Sequence, residues 1–219
     1  DLPVIFNEYC TSWGNPTIEN LEKTAKKLQG SGVKYLVMDS GWYKEDGKEW
    51  WDTIGDWNVN KSQFPDCLKP VCDMIKSYGL IPGIWFEMEN VAPLSQIYNE
   101  TDHLLSRMGT PLNVAGHRFL DLRDEWCVNY LDEKVIKLLR DSGYGYLKVD
   151  YNENIGIGCD GAENLGEGLR QYVLASQRYF KRIKEQLPDL VIENCASGGH
   201  RLELSTMELC SQASFSDAH

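Results

Sequence analysis

Short apolar runs recur along the chain: PVIFNEY (3–9), KYLVMDS (34–40), IPGIWFE (81–87), RFLDL (118–122), YGYLKVD (144–150), LVIENC (190–195) and CSQASFSD (210–217). Their length and their β-branched and aromatic content predict strands. Between them the apolar positions switch to helical spacing, in TIENLEKTAKKLQGSG, FPDCLKPVCDMIKSYG, DEWCVNYLDEKVIKLLRDSG and GEGLRQYVLASQRYFKRIKEQLP. Thr17 is placed to cap the first helix, where a hydroxyl can accept from an unpaired N–H of the first turn. Gly32, Gly79 and Gly143 each stand between a helix and the next strand, the position of a left-handed C-cap.

Strand, helix, glycine, strand is the rhythm of a parallel sheet, either an open doubly wound sheet or a barrel. A nucleotide-binding open sheet carries a glycine-rich turn after its first strand, and NEYCTSWGNPT has none. The barrel is therefore favoured. The chain ends at SDAH, directly after the seventh strand candidate, so the predicted fold is α/β, a (β/α)8 TIM barrel truncated before its eighth strand. No low-complexity linker divides it, and residues 1–219 read as one domain. The long Trp- and Gly-rich stretch 41–65 follows a strand and is a candidate active-site loop.

In a barrel, reactive groups sit where strands end. Those positions hold Asn7 and Glu8, Asp39, Glu87 and Glu89, Asp121, Lys148 and Asp150, Glu193, Asn194 and Cys195, and Asp217. One acid at a strand end is explained by helix capping; acids at nearly every strand end suit a sugar or a metal ion. Trp13, Trp42, Trp57 and Trp85 lie among them, either as faces for a pyranose ring or as plugs for the top of the core. Lys148 and Asp150, two residues apart on a strand, face the same side. A lysine beside an aspartate favours the ionised carboxylate that a nucleophile requires, whereas the bland alternative is an ion pair that fills the barrel.

A net charge of −11 disfavours nucleic acid and anionic membranes as partners and leaves a neutral or cationic ligand. The seven cysteines contain no CxxC pair, so neither a disulfide framework nor a zinc site is spelled out, and reduced thiols in a cytoplasm-like compartment are expected. No apolar run approaches the ~20 residues of a membrane span; DLPVIFNEYC lacks the basic start of a signal peptide, and export with a signal removed ahead of it stays open beside a cytoplasmic location.

Several motifs, met in order from the first strand to the last residues, resemble the catalytic domain of glycoside hydrolase family 36, the α-galactosidase family. They are TSWGNPT, MDSGWY, the segment from GDWNVN to GIWFEME, LDLRDEW, YLKVDYNEN, IENCASGGHRLE and SFSDAH. The resemblance implies a retaining glycosidase that needs no metal or cofactor, with Asp150 as nucleophile and Asp217 as general acid/base. It further implies that Lys148 contacts sugar hydroxyls, that Trp13 and Trp85 are aromatic walls, and that Asp39 is the first of a pair of sugar-binding aspartates. Cys195 and Gly198 match the Cys-x-x-Gly turn near the sugar's 2-position; Arg118 matches the family's arginine before the fourth strand only after a shift. Such chemistry needs two carboxyl groups roughly 5 Å apart, one kept ionised and one able to carry a proton.

Two departures stand out. Ser40 occupies the place of the second sugar-binding aspartate, and VDYNEN differs from the family's Trp-Asp-Met-Asn-Arg form. An α-galactosidase, an α-N-acetylgalactosaminidase and a galactosyl-transferring relative are all compatible with this pattern. Outside that class stand a metal-dependent barrel enzyme, with Asp39, Glu87, Asp121 and Asp150 as oxygen ligands, and a non-catalytic sugar-binding barrel. The family's flanking β-domains make this chain, by resemblance, the catalytic part of a larger enzyme, compatible with a homo-oligomer.

Overall fold

Six parallel strands form the centre of the computed structural model, which describes residues 3–216. They are β1 (Val4–Asn7), β2 (Val33–Met38), β3 (Ile81–Phe86), β4 (Tyr146–Val149), β5 (Val191–Asn194) and β6 (Gln212–Ala213), and each pairs in parallel with the next. Order in the sheet equals order in the chain, as in the wall of a barrel. The helices follow the predicted segments: α1 (Ile18–Leu28), α2 (Lys69–Ser77), α3 (Glu125–Leu131, continued by a π turn at Asp132–Ile136 and by Lys137–Ser142) and α4 (Leu165–Gln186). Thr17 Oγ1 accepts from the Asn20 N–H at 3.1 Å, and Gly143 closes α3 at a φ of 80°.

The run RFLDL does not join this sheet. Arg118–Phe119 pairs antiparallel with Asn90–Val91, inside the long connection between β3 and α3. An apolar alternation is satisfied by any partner that buries one side, so the pattern alone predicts a strand but not its sheet. The parallel strands described therefore number six and not seven, and Asp150 follows the fourth.

Alternation along the strands creates two unlike faces. Outward side chains, among them Leu36, Met38, Ile84, Phe86, Leu147 and Ile192, are buried with Leu21, Val71, Ile75, Leu139 and Ile183 of the helices in one large core. Inward, a small cluster of Tyr35, Val37 and Tyr146, flanked by Ile5, Ile81 and Val191, fills the lower part of the half-barrel. Gly83 leaves room for it, since a Cβ there would stand 2.8 Å from Val37 Cγ2 and 3.0 Å from Tyr146 Cδ1. Trp42 and Trp57 stack at 6.1 Å and pack on Phe86, so these two tryptophans plug the outer core. No disulfide joins any of the seven cysteines, and among the described residues no helix is long and apolar enough to cross a membrane.

Candidate active site

Strand register brings the polar residues together. Met38 lies opposite Ile84, Trp85 opposite Lys148, and Lys148 opposite Glu193, so Asp39, one residue past Met38, is level with Trp85. One rung of the half-barrel thus collects Asp39, Trp85, Lys148 and Glu193 above the apolar cluster. A cavity of about 430 Å³ opens over them, lined also by Tyr9, Trp50, Asp150, Asn152, Ser214 and Ser216. Its volume falls in the range of small-molecule sites. A second cavity, of about 290 Å³, lies between α4, the segment 200–206 and the residues that follow Asp150, among them Tyr151 and Ile155.

Among the described residues Asp150 meets donors only. Its Oδ1 accepts from the Tyr151 N–H at 2.9 Å and from the Ser197 N–H at 2.8 Å; its Oδ2 accepts from Trp85 Nε1 at 3.0 Å. The Ser197 contact depends on a backbone turn after β5 in which Ala196, Ser197 and Gly198 have φ of 45°, 54° and 71°. Left-handed conformations at two non-glycine residues are uncommon and mark a backbone held by its surroundings.

Lys148 does not pair with Asp150, as its sequence position predicts. Its Nζ donates to Asp39 Oδ2 at 2.9 Å, on the same rung, and Asn7 Nδ2 donates to that oxygen at 2.5 Å. Residues two apart on a strand share a face but are displaced along it by nearly 7 Å, whereas the same rung brings groups level across strands. Burial works against the Lys148 charge, but Asp39 and, more weakly, Cys195 and Asp150 outweigh it and hold its pKa above the ordinary lysine range. The Asp39 N–H donates to Glu8 Oε1 at 3.1 Å, and burial pushes the Glu8 carboxyl up to about 7. Glu193 is bound by the hydroxyls of Tyr146 and Ser214.

Of the sequence candidates, Asp39, Trp85, Lys148 and Asp150 line the cavity together. Cys195 is buried at the start of the turn that presents Ser197, and Gly198 supplies part of its left-handed path. Ser40 is buried, with no hydrogen-bond partner for its hydroxyl among the described residues, and does not line the cavity. Trp13 is 60% exposed and meets Tyr9 edge-on at 5.6 Å, so it flanks the rim and not the wall. Arg118 lies outside the cavity: it donates to the Tyr98 carbonyl at 2.6 Å and stacks over the Tyr98 ring at 4.0 Å. Asp217 lies outside the described residues, although Ser214 and Ser216 before it line the cavity.

Among the contributors that escape sequence reasoning are Trp50, Asn152 and the Ser197 amide. Trp50 comes from the loop 41–65 and stands 5.6 Å from Trp85 and 6.3 Å from Tyr9, edge-on to both. Gly14 makes room for it, because a Cβ there would stand 2.3 Å from Trp50 Cδ1. The signal was the clustering of tryptophans in that loop. Asn152 is the next same-face residue after Asp150, so strand parity extended by one step would have found it. The Ser197 amide is a backbone group and carries no residue-type signal.

Asp39, Glu87, Asp121 and Asp150 do not converge as a metal cage. Asp121 is held by two hydrogen bonds from Arg123 at 2.8 and 2.7 Å, Asp39 by Lys148 and Asn7, and Glu87 by Asn90 and Asn152. Among the described residues no group of three or more His, Cys, Asp or Glu is arranged to hold a metal ion.

Comparison with known proteins agrees with this geometry. α-Galactosidase Mel36A of Lactobacillus acidophilus is 27% identical over 209 residues, which are 92% of this chain and 28% of that protein. α-Galactosidase AgaA of Geobacillus stearothermophilus is 27% identical over 213 residues, covering 93% of this chain and 28% of AgaA. The chain thus spans less than a third of the length of these curated relatives. The crystal structure of AgaA, a GH36 α-galactosidase, superposes with a TM-score of 0.88 at 26% identity, over 99% of this chain and 31% of that one. A variant of AgaA in complex with stachyose superposes with a TM-score of 0.89 at 25% identity, over 99% and 31% of the two chains. With the melibiase family model matched from residue 1 to residue 219, and these relatives sharing its half-barrel, the chain belongs to the melibiase family, within glycoside hydrolase family 36.

Proposed function

We propose that this chain is part of the catalytic barrel domain of a larger retaining α-galactosidase that removes terminal α-linked galactose by double displacement. The observation that carries the proposal is Asp150, a carboxylate lining the cavity that, among the described residues, meets three N–H donors and no cation within hydrogen-bond reach. Oδ1, with two donors, suits the carbonyl oxygen of a glycosyl ester; Oδ2, with one, keeps a lone pair for attack on the anomeric carbon. Asp217 protonates the departing oxygen and then takes a proton from the water that releases the sugar. The Lys148–Asp39 pair offers a donor and an acceptor of balanced charge to the hydroxyls of a neutral sugar. Trp50 and Trp85 supply apolar wall. Variants of the related AgaA were crystallised with raffinose and with stachyose, which supports galactose-bearing oligosaccharides as the substrate class.

The test uses the full-length protein and an aryl α-galactoside. Asp150→Ala should abolish turnover, and azide should restore part of it by attacking the anomeric carbon in place of the missing carboxylate. Retained activity without azide would reject Asp150 as the nucleophile. With Ser40 in place of an aspartate, the parallel panel is α-galactoside, α-N-acetylgalactosaminide and α-glucoside. Faster turnover of either of the latter two would reassign the sugar, and transfer to an added sugar acceptor in preference to water would reassign the acceptor.

A further inference from the structure

Asn152 lines the cavity two residues past Asp150, yet its backbone N–H and its side-chain Nδ2 both donate to one carboxylate behind it, at 2.8 and 2.7 Å. That carboxylate is Glu87, fully buried just past the end of β3. It takes a third donor, Asn90 Nδ2, at 2.9 Å. The hydrogen-bond polarity behind Glu87 runs the same way. With Nδ2 turned to Glu87, Asn90 Oδ1 faces His117 Nδ1 at 2.6 Å and accepts from it. Burial lowers the pKa of His117 to about 4, so near neutral pH its ring is neutral, and the contact with Asn90 Oδ1 calls for the proton on Nδ1. Among the described residues the three hydrogen-bond partners of Glu87 are all N–H donors.

Above about pH 7, the value to which burial and the Asp150 charge raise it, Glu87 is ionised and only accepts, and this allows the Asn152 amide one orientation: Nδ2 towards Glu87, and Oδ1 on the opposite branch, towards the cavity that Asn152 lines. We infer that Glu87 is a positioning residue for the proposed reaction, fixing the Asn152 amide so that it offers an oxygen, and not an N–H, to one hydroxyl of the bound sugar. This rests on the glycosidase reading above and adds to it a device for recognition that touches no substrate itself.

Glu87→Gln keeps the size and shape of the side chain. If its oxygen stays with the Asn90 and Asn152 backbone donors, its nitrogen faces the Asn152 side chain, and that amide must turn over. Asn152 then offers an N–H where the sugar hydroxyl expects an acceptor. Adding Asn152→Asp corrects the mismatch: the new carboxylate accepts from the new amide, again presents an oxygen to the cavity, and leaves the number of buried acids unchanged.

The experiment measures kcat/KM of the full-length protein at about pH 8, where Glu87 is ionised, on an aryl α-galactoside and on its 2-, 3-, 4- and 6-deoxy analogues. For Glu87→Gln we expect a loss of roughly 10- to 100-fold on the parent sugar, the size of a mispaired polar contact. The same loss should recur on three of the analogues and shrink to within about threefold on the one that lacks the hydroxyl facing Asn152. Glu87→Gln/Asn152→Asp should recover most of the parent activity. A purely structural role for Glu87 predicts an equal loss on all four analogues and no recovery. Either of those results, or an unchanged parent kcat/KM, would overturn the inference. Should the single variant not fold, the double variant decides: folded and active supports the inference, folded and inactive rejects it. Wild-type turnover that disappears in Asp150→Ala upholds the glycosidase reading independently, so failure of the one is separable from failure of the other.

Discussion

The outward and inward faces of the parallel sheet are made from alternate residues of the same strands, and they do opposite things. Outward, Leu36, Met38, Ile84, Phe86, Leu147 and Ile192 are fully buried and apolar. Inward, the upper rung holds Asp39, Lys148 and Glu193 beside Trp85. Buried charge is tolerated there because each group has a partner: Lys148 and Asp39 have each other, and Glu193 has two hydroxyls. In this half-barrel the parity of a residue's position along its strand separates what holds the fold from what is arranged for chemistry.

The comparison is broken most severely on the outward face. Phe86→Ala removes a ring packed against Trp42 at 5.0 Å and Trp57 at 4.9 Å and should cost about 3–5 kcal/mol in urea denaturation. That loss should be the same at pH 5 and pH 8. The acids at the strand ends should behave otherwise. Burial raises the carboxyls of Glu8 and Glu87 to about 7, with Asp150 adding to the effect on Glu87. The native state then binds more protons than the unfolded chain between about pH 4.5 and pH 7. Their contribution is complete below the unfolded value of 4.5 and is lost as pH rises through 7. For Glu8 a shift of that size corresponds to about 3 kcal/mol. Glu8→Gln should flatten the slope of stability against pH in this window, and an unchanged slope would remove Glu8 as a cause. Glu89 acts outside the window. Burial would raise it, but Arg201 outweighs this and lowers its pKa, so its stabilisation is lost only as pH falls below the ordinary carboxylate range.

Smaller effects sharpen the contrast from the inward side. Trp85→Phe removes the indole donor to Asp150 Oδ2 and should lower kcat/KM by roughly 10- to 100-fold. Its cost in stability should stay under about 2 kcal/mol, the reverse of the Phe86 pattern on the same strand. Trp50→Ala should raise KM about tenfold and leave kcat within a few-fold, as loss of binding wall does when the reacting groups are untouched. A kcat loss as large as the KM effect would place Trp50 in the reaction and not at its wall.

Much of this was legible in advance because it is local. Thr17 and Gly143 fix helix ends by their own chemistry, and the alternation YLKVD fixes which side Lys148 and Asp150 share. Asp39, Trp85, Lys148 and Asp150 could be named from their places at strand ends, and they meet in one cavity. The partners of these residues were not legible. Nothing in RFLDL says that its partner is Asn90–Val91 and not a strand of the main sheet. Nothing in KVD says that Lys148 reaches across to Asp39 and leaves Asp150 to an indole and two backbone amides.

The sequence by itself determined the succession of strands and helices, the faces of each strand and the residue types at the rim, since these follow from spacing, caps and alternation within short windows. Tertiary structure alone decided register, and register decided the chemistry. Hydrogen bonds and ion pairs depend on which groups come within about 3 Å of one another, and that distance is set by how strands far apart in the chain are aligned. Asp39 and Lys148 are 109 residues apart, and Glu87 and Asn152 are 65 apart. Only folding puts them in contact.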